Sequence, residues 1–304
     1  MKKTILVLMG GISREKEISI LSGRECIKAL RKKKYKVKVL DPKGNFINEI
    51  RKIKPKIVFN ALHGRFGEDG YIQSILEAEK IKYTHSGVLA SSIAMDKEVS
   101  KKIFINKKIN TPKFFVYNYN DSLSIHTLIK KSKINFPIVI KPINEGSSIG
   151  VYICTKKNLN KNLEKLRKYN RILVEKYIPG REIQVAVMNN KALGAIELKP
   201  KRKFYDYYAK YSIKAKTKHI MPAPMESKKY KEILRIARKA HLSLGCKGIT
   251  RSDFRYYHNK FFLLEINTQP GMTNLSLVPE IAAYKGIKFG NLVEWMIKDA
   301  SCNR

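Results

Sequence analysis

Acidic residues are scarce in this chain: its 304 residues hold 25 Asp and Glu against 62 Lys and Arg, a formal charge of +37. Cysteine is scarcer. The four, Cys26, Cys154, Cys246 and Cys302, are scattered without CxxC spacing, which argues against a disulfide framework and leaves reduced packing residues. No apolar run approaches the length of a membrane span. Met1-Lys2-Lys3 followed by Thr4–Met9 imitates a signal peptide, but the run is short. It breaks at Gly10-Gly11 into the charged Ser13–Glu17, with no small-residue cleavage site. A buried first strand explains it better, and the expected compartment is the cytoplasm. An internal repeat, a low-complexity tract and the GxxxxGK[ST] order of a Walker loop are also missing.

What is present is an ordinary globular composition, 43% hydrophobic and 10% aromatic, with length for two or three compact units. The positive charge points toward nucleic acid or an anionic surface. It is spread along the whole chain, however, and only short runs such as Arg31-Lys32-Lys33-Lys34 stand out. Lys is accompanied by many Ile, Asn and Tyr, all encoded by A/T-rich codons. Genomic base bias therefore accounts for the charge more simply than a nucleic-acid footprint, and no nucleic-acid or membrane partner is expected.

Along the first ninety or so residues, strand and helix patterns alternate. Thr4–Met9 is a continuous apolar run, as expected of a strand buried on both faces. Ile18, Leu21, Cys26, Ala29 and Leu30 then recur at roughly helical spacing. Lys36–Leu40 and Ile57–Leu62 read as further strands, with a helix over Tyr71–Glu79. This order argues for a parallel, doubly wound sheet, whose ligands gather at the carboxyl ends of its strands. Those ends carry Gly10–Glu17 and His63–Gly70. Beyond Met95-Asp96-Lys97, prolines punctuate short strands at Phe114–Tyr117, Ile138–Lys141 and Ile172–Glu175, with helices at Leu123–Lys131 and Asn158–Lys168. A third region has strands Ile183–Met188 and Ala192–Leu198, then an irregular segment from Lys199 to Pro222 with the length of a lid. Helix Lys228–Leu244 follows, then a strand pair, Gly248–Tyr256 and Phe261–Asn267, turning at His258-Asn259. The expected domains are 1–95, 96–179 and 180–304.

The most informative constellation is in that last strand pair. Residues two apart on a strand share a face, so Glu265 and Asn267 project together, and a hairpin brings Asp253 alongside them. Two carboxylates and an amide oxygen are hard ligands, suited to magnesium bridging substrate phosphates; a solvated polar strand face is the plainer alternative. Arg251, two residues before Asp253, is placed either to hold a phosphoryl group or oxyanion or simply to pair with Glu265. Lys141 ends an apolar strand ahead of Asn144-Glu145-Gly146-Ser147-Ser148-Ile149-Gly150, a loop able to cradle phosphate oxygens or to be an ordinary turn. Glu175 and Glu182 are strand-end carboxylates that can accept from adenine or ribose, or be surface groups. Ser13, Glu15 and Glu17, with His63 and Glu68-Asp69-Gly70, offer carboxylates for an ammonium. The aromatic-rich Phe204–Tyr211 suits base stacking or an ordered lid.

Taken together, these residues resemble the ATP-grasp superfamily, and within it the D-alanine–D-alanine ligase family. The match runs in order over essentially the whole chain: GGISREKEISILSG at Gly10–Gly23, ALHGRFGEDG at Ala61–Gly70, SGVLASSIAMDK at Ser86–Lys97, then IVIKPINEGSSIGV, LVEKYIPGREI, FYDYYAKY, GCKGITRSDF and LLEINTQPGMTNLSLVP. The resemblance implies α/β and α+β architecture, in which an N-terminal doubly wound parallel sheet domain is joined by two further α+β domains that clasp ATP. It implies that ATP phosphorylates one D-alanine and that the amine of a second attacks the acyl phosphate. The product, D-alanyl-D-alanine, goes to the bacterial cell wall. By position, Asp253, Glu265 and Asn267 match ligands for two magnesium ions (manganese being an alternative), with Glu265 between them. Lys97, Lys141 and Lys210 match phosphate contacts, with Ser147 and Ser148 in the same ATP-binding loop. Glu175, Lys176, Ile178 and Glu182 match the adenine and ribose pocket.

Glu15, with His63 nearby, resembles the holder of the first ammonium, and Arg251 and the Gly271 N–H resemble oxyanion donors. Ser276, followed by Leu277, matches the site of the second substrate's carboxylate. Ser147, Tyr211 and Glu15 match a hydrogen-bonded trio that ties the lid over the site. The retained Tyr211 favours a dipeptide over an ester with D-lactate; D-lactate or D-serine ligases are the nearest alternatives, and a homodimer is implied. One departure is Gln269, where the family more often has a small or apolar residue before Pro270-Gly271.

Overall fold

In a computed structural model the chain is described over residues 4–200 and 217–304. Three sheets organise the described residues. The first has the order β2-β1-β3-β4, all parallel, from β1 (Thr4–Leu8), β2 (Lys36–Leu40), β3 (Ile57–Asn60) and β4 (Lys82–Tyr83). Its alternation explains the continuous apolar runs. Ile5, Val7, Ile57 and Phe59 face one core together with Cys26, Ile27 and Leu30 of the helix Lys16–Lys32. Leu6, Leu8 and Val58 face another, filled by Phe46, Ile50, Ile72 and Leu76 from the helices Phe46–Ile53 and Tyr71–Ala78. A strand covered on both faces has no polar side to show. β2 lies at the edge with Lys36 and Lys38 exposed, which discourages edge-to-edge pairing.

The second sheet is antiparallel, in the order β5-β8-β6-β7, from β5 (Phe114–Asn118), β6 (Ile138–Pro142), β7 (Tyr152–Cys154) and β8 (Arg171–Lys176). Ile138, Ile140, Ile172 and Val174 pack against Ile125, Ile129, Leu159 and Leu163 of its two covering helices. The opposite face, carrying Val139, Lys141 and Glu175, lines a cleft.

The third sheet runs β11-β10-β9-β12-β13 and is also antiparallel. Its strands are β9 (Arg181–Met188), β10 (Lys191–Lys199), β11 (Lys218–Ile220), β12 (Ile249–Tyr257) and β13 (Lys260–Asn267). Two-residue hairpins form at Asn189-Asn190 and at His258-Asn259, all four residues having positive φ. One face packs Val185, Val187, Phe254 and Leu263 on Ile233, Ala237 and Ala240 of the helix Ser227–Ser243. On the other, Ala186, Ile196 and Leu198 join the first core with Leu277 and Ile281 of the helix Leu277–Tyr284. The last helix, Phe289–Asp299, returns to the first sheet. Its Leu292, Val293 and Met296 join Cys26 and Leu30, and Lys33 Nζ reaches Asn291 Oδ1 at 2.7 Å.

The irregular segment expected from Lys199 to Pro222 needs correcting at its end. Lys218–Ile220 form β11, because β10 runs on to Lys199 and offers an open edge that Glu197↔Ile220 to Lys199↔Lys218 pairing satisfies. The aromatic-rich stretch at 204–211, including Lys210 and Tyr211, lies outside the described residues. Among those described, no helix is long and apolar enough to cross a membrane.

Two buried histidines give the fold an acid limit. Burial pushes the His85 imidazole from 6.5 down to about 3, helped by Arg304 and His63. Burial, then Lys247, pushes His241 from 6.5 down to about 4. Below 6.5 the unfolded chain takes up protons that the folded chain refuses, so their contribution is fully present above pH 6.5 and is lost as pH falls toward 3 to 4. Each histidine then costs about 1.4 kcal/mol per pH unit within its window. His85 has φ +72, a conformation asparagine tolerates. His85→Asn should therefore flatten the fall of the urea midpoint between pH 6.5 and 4; a slope equal to that of the parent chain would contradict this.

Candidate active site

The loops at the carboxyl ends of β1 and β3 meet. Ser13 Oγ donates to the His63 carbonyl and accepts from Glu15 N at 3.1 Å. His63 is held at both ring nitrogens, with Nδ1 2.8 Å from Glu68 Oε1 and Nε2 3.1 Å from Ser22 Oγ. Glu15, His63 and Glu68 are all buried, and one ligand atom from each falls within 4.8 Å of the others. Two carboxylates converging in a buried pocket suit a cationic ligand, an ammonium or a metal ion. The loop after β6 closes on the same point. A Cβ on Gly146 would stand 3.0 Å from Glu15 Oε1, so glycine lets this backbone approach the carboxylate. Ser147 and Ser148 follow with φ of +48° and +61°.

Behind that loop, Glu175 is fully buried between two ammoniums, Lys141 Nζ at 2.7 Å and Lys101 Nζ at 2.9 Å. Burial alone would raise the Glu175 carboxyl; Lys101 and Lys141 outweigh it and hold it below the usual carboxylate range. Burial conversely pushes the Lys101 ammonium from 10.5 down to about 8, against the pull of Glu175. Lys101 also donates to Thr111 Oγ1 at 2.6 Å and lies 5.5 Å over the Phe114 ring. Val139, Tyr177 and Ile178 supply apolar walls, while Lys176 and Glu182 complete this cleft. An apolar slot with a few fixed polar groups is what a purine base and ribose require.

The third sheet presents its polar face to both clefts. Cross-strand register sets Ile196, Gln184, Asp253 and Glu265 in one row and Ala186, Arg251 and Asn267 in the next. A bulge after Asp253 bends β12 against β13 here, as bulges beside sites do. Asp253 is 5% exposed, and Arg251 grips both its oxygens, Nε to Oδ1 at 2.8 Å and a terminal nitrogen to Oδ2 at 3.0 Å. Lys97 opens a helix, Lys97–Asn106, that Asp96 caps by accepting from the N–H groups of Glu98 and Val99. Its Nζ reaches Glu265 Oε2 at 3.3 Å and the Glu145 carbonyl at 2.6 Å. The all-oxygen donor set of Asp253, Glu265 and Asn267, side by side on one face, fits magnesium or manganese.

After β13 the chain turns over the cleft. A Cβ on Gly271 would fall 2.8 Å from Ser276 Oγ, so the turn depends on glycine. Ser276 Oγ in turn accepts from Thr273 N at 2.9 Å, just ahead of the helix beginning at Leu277.

The candidate residues fall into two adjoining clefts. One is lined by Glu15, His63, Ser147, Arg251, Asn267, Gly271, Ser276 and Leu277; the other by Lys141, Ser148, Glu175, Lys176, Ile178, Glu182 and Asp253. Lys97, Glu145, Gly146 and Glu265 belong to both. Lys210 and Tyr211 lie outside the described residues. Sequence reading missed two residues. Lys101 follows Lys97 by one helical turn, a spacing that sets both on one face. Gln184 alternates with Glu182 on β9 and is 1% exposed; its amide has no hydrogen-bond partner among the described residues.

The family model described as "D-ala D-ala ligase C-terminus" matches residues 103–298. A D-alanine–D-alanine ligase of Pelagibacter ubique is 61% identical, over 100% of both chains. One from Wolbachia pipientis wMel is 48% identical, over 98% of this chain and 94% of its own. Among solved structures, the D-alanine–D-alanine ligase of Bacillus anthracis complexed with ATP superposes with a TM-score of 0.85 at 30% identity, covering 98% of this chain and 97% of that one. The parallel sheet and the two antiparallel sheets around a shared cleft are thus the ATP-grasp architecture. The chain belongs to the D-alanine–D-alanine ligase family.

Proposed function

We propose that the chain is an ATP-dependent ligase that joins two D-alanines into D-alanyl-D-alanine, releasing ADP and phosphate, for peptidoglycan synthesis. The observation that carries this reading is the meeting of the two clefts at Lys97, Glu145, Gly146 and Glu265. A pocket suited to an ammonium adjoins a pocket suited to a nucleotide, and an oxygen-donor row lies at the junction.

Glu15, beside His63, holds the ammonium of the first D-alanine and so aims its carboxylate toward Arg251. Glu175, Lys176, Ile178 and Glu182 seat the base and ribose of ATP; Lys97, Lys141 and the Ser147-Ser148 loop orient its phosphates. Magnesium held by Asp253, Glu265 and Asn267 would neutralise phosphate charge when bound. A carboxylate oxygen of D-alanine attacks the γ-phosphorus, the bond to ADP breaks, and an acyl phosphate forms. The amine of the second D-alanine, its carboxylate held at Ser276 beside Leu277, then attacks the acyl carbon and loses a proton as phosphate leaves. Arg251 and the Gly271 N–H stabilise the tetrahedral oxyanion between these events. Closure over the cleft keeps water from the acyl phosphate; Tyr211 belongs to this part of the proposal, and Lys210 to the phosphate contacts. So do a cytoplasmic setting and a homodimer.

Phosphate release from ATP is expected only when magnesium and D-alanine are both supplied. Release at the same rate without D-alanine would overturn the reading. D-Lactate and D-serine offered as second substrates distinguish the dipeptide from an ester or mixed product.

A further inference from the structure

Gln269 sits between the metal-donor row and the Gly271 turn and is 1% exposed. Its side chain does not enter either cleft. Instead its Nε2 donates to the Leu62 carbonyl, the residue before His63, and its Oε1 accepts from Asn60 Nδ2 at 2.9 Å. Its backbone N–H donates to Asn267 Oδ1 at 2.8 Å. Asn60, fully buried at the end of β3, accepts from Leu62 N at 3.1 Å and donates to the Gly67 carbonyl at 3.0 Å. The amide orientations are fixed by the backbone. Leu62 O can only accept, so Gln269 must face it with nitrogen; Leu62 N can only donate, so Asn60 must face it with oxygen.

A second link joins the same two segments three residues later. Met272 N donates to Ser22 Oγ at 3.2 Å, and Ser22 Oγ lies 3.1 Å from His63 Nε2. Gln269, Leu62, His63, Ser22 and Met272 therefore form a closed ring, with Asn267 tied to it through the Gln269 backbone N–H. Two attachments fix rotation as well as distance, where one would leave a pivot. The first sheet carries the ammonium pocket and the third carries the donor row and oxyanion turn, so this ring sets one half of the reaction against the other.

We propose that Gln269, paired with Asn60, is a positioning residue that registers the Glu15–His63 pocket against the Asn267–Gly271 turn. The proposal rests on the ligase reading above. It follows that losing the pair disturbs the alignment of the first carboxylate with its phosphoryl donor, and leaves untouched the second-sheet part of the nucleotide pocket, Lys141, Glu175 and Lys176, which the ring does not touch. Small misplacements of this kind cost about 10²-fold in rate.

The test compares wild type with Gln269→Met, which keeps length and removes both side-chain hydrogen bonds. Expected are a fall of about 10- to 100-fold in kcat/KM for the first D-alanine and unchanged affinity for a fluorescent ATP analogue. The intact nucleotide affinity shows that the variant is folded. Ser22→Ala removes only a hydroxyl, opens the other side of the ring, and is expected to give the same split even if Gln269→Met fails to fold. Kinetics like those of wild type in a folded variant overturn the clasp alone. So does a loss of nucleotide affinity in step with activity, which would mean a merely structural role. A wild-type enzyme that makes no dipeptide overturns the ligase reading and the clasp with it.

Discussion

Glu265→Gln is expected to lower kcat by about 10³-fold or more while leaving the urea midpoint nearly unchanged. The substitution keeps the shape of the side chain and removes one negative charge from the place where both clefts meet. Glutamine is a far weaker ligand for a hard dication, so phosphate charge would go largely uncompensated as it transfers. The fold has little reason to respond. Glu265's side chain is 26% exposed at the cleft, and its partner Lys97 keeps the Glu145 carbonyl. Steady-state kinetics beside a Mn²⁺ titration followed by electron paramagnetic resonance check both halves. Turnover within tenfold of wild type, with metal affinity intact, would remove Glu265 from the metal-binding set.

Glu175→Leu is expected to act on the fold as well as the nucleotide. It leaves the Lys101 and Lys141 ammoniums buried and facing each other with their shared carboxylate gone. Breaking a buried charge network by removing one member costs about 3–5 kcal/mol. The pH dependence gives this prediction its signature. Lys101 titrates near 8 in the folded wild type, below the 10.5 of the free side chain. Without Glu175 its folded value drops further, so the unfolded chain binds more protons over a wider range. Stability then rises with pH from a lower starting point, and the deficit shrinks as pH is raised from 7 through about 8, above which both proteins gain alike. Adding Lys101→Met should recover much of the loss, because an apolar replacement removes the uncompensated charge. Urea unfolding at pH 7 and pH 9.5 measures this. A loss below about 1 kcal/mol, or one independent of pH, would mean that the pair is not the buried network described.

What could be read from the sequence followed the range of the interaction. Thr4–Met9 and Ile138–Lys141 announced buried strands because each is continuously apolar or ends in a single polar residue. The His258-Asn259 hairpin was legible because two residues tolerant of positive φ separate a strand ending in Tyr256-Tyr257 from the apolar run that starts at Phe261. Strand alternation put Glu265 and Asn267 on one face and the hairpin brought Asp253 alongside, and the register pairs Asp253 with Glu265 and Arg251 with Asn267. Long-range pairings left no local trace. Nothing near Lys218 announces an edge strand, and nothing in Phe289–Asp299 says that it returns to the helix Lys16–Lys32. Lys101 was missed because a lysine on a helix is usually solvated; only the fold shows that it ends against Glu175. Gln269 stood out as a departure from a family pattern, but its partners Asn60 and Leu62 lie some two hundred residues away.

The most direct measurement uses D-alanine labelled with ¹⁸O in its carboxylate, with ATP and magnesium, and reads the masses of the products. Attack of the carboxylate on the γ-phosphorus leaves one labelled oxygen in the inorganic phosphate and three in D-alanyl-D-alanine, with ADP unlabelled. That is the expected result. Unlabelled phosphate, label in AMP, or the absence of dipeptide from folded enzyme would contradict the acyl phosphate route and, with it, the joining of the two clefts into one site.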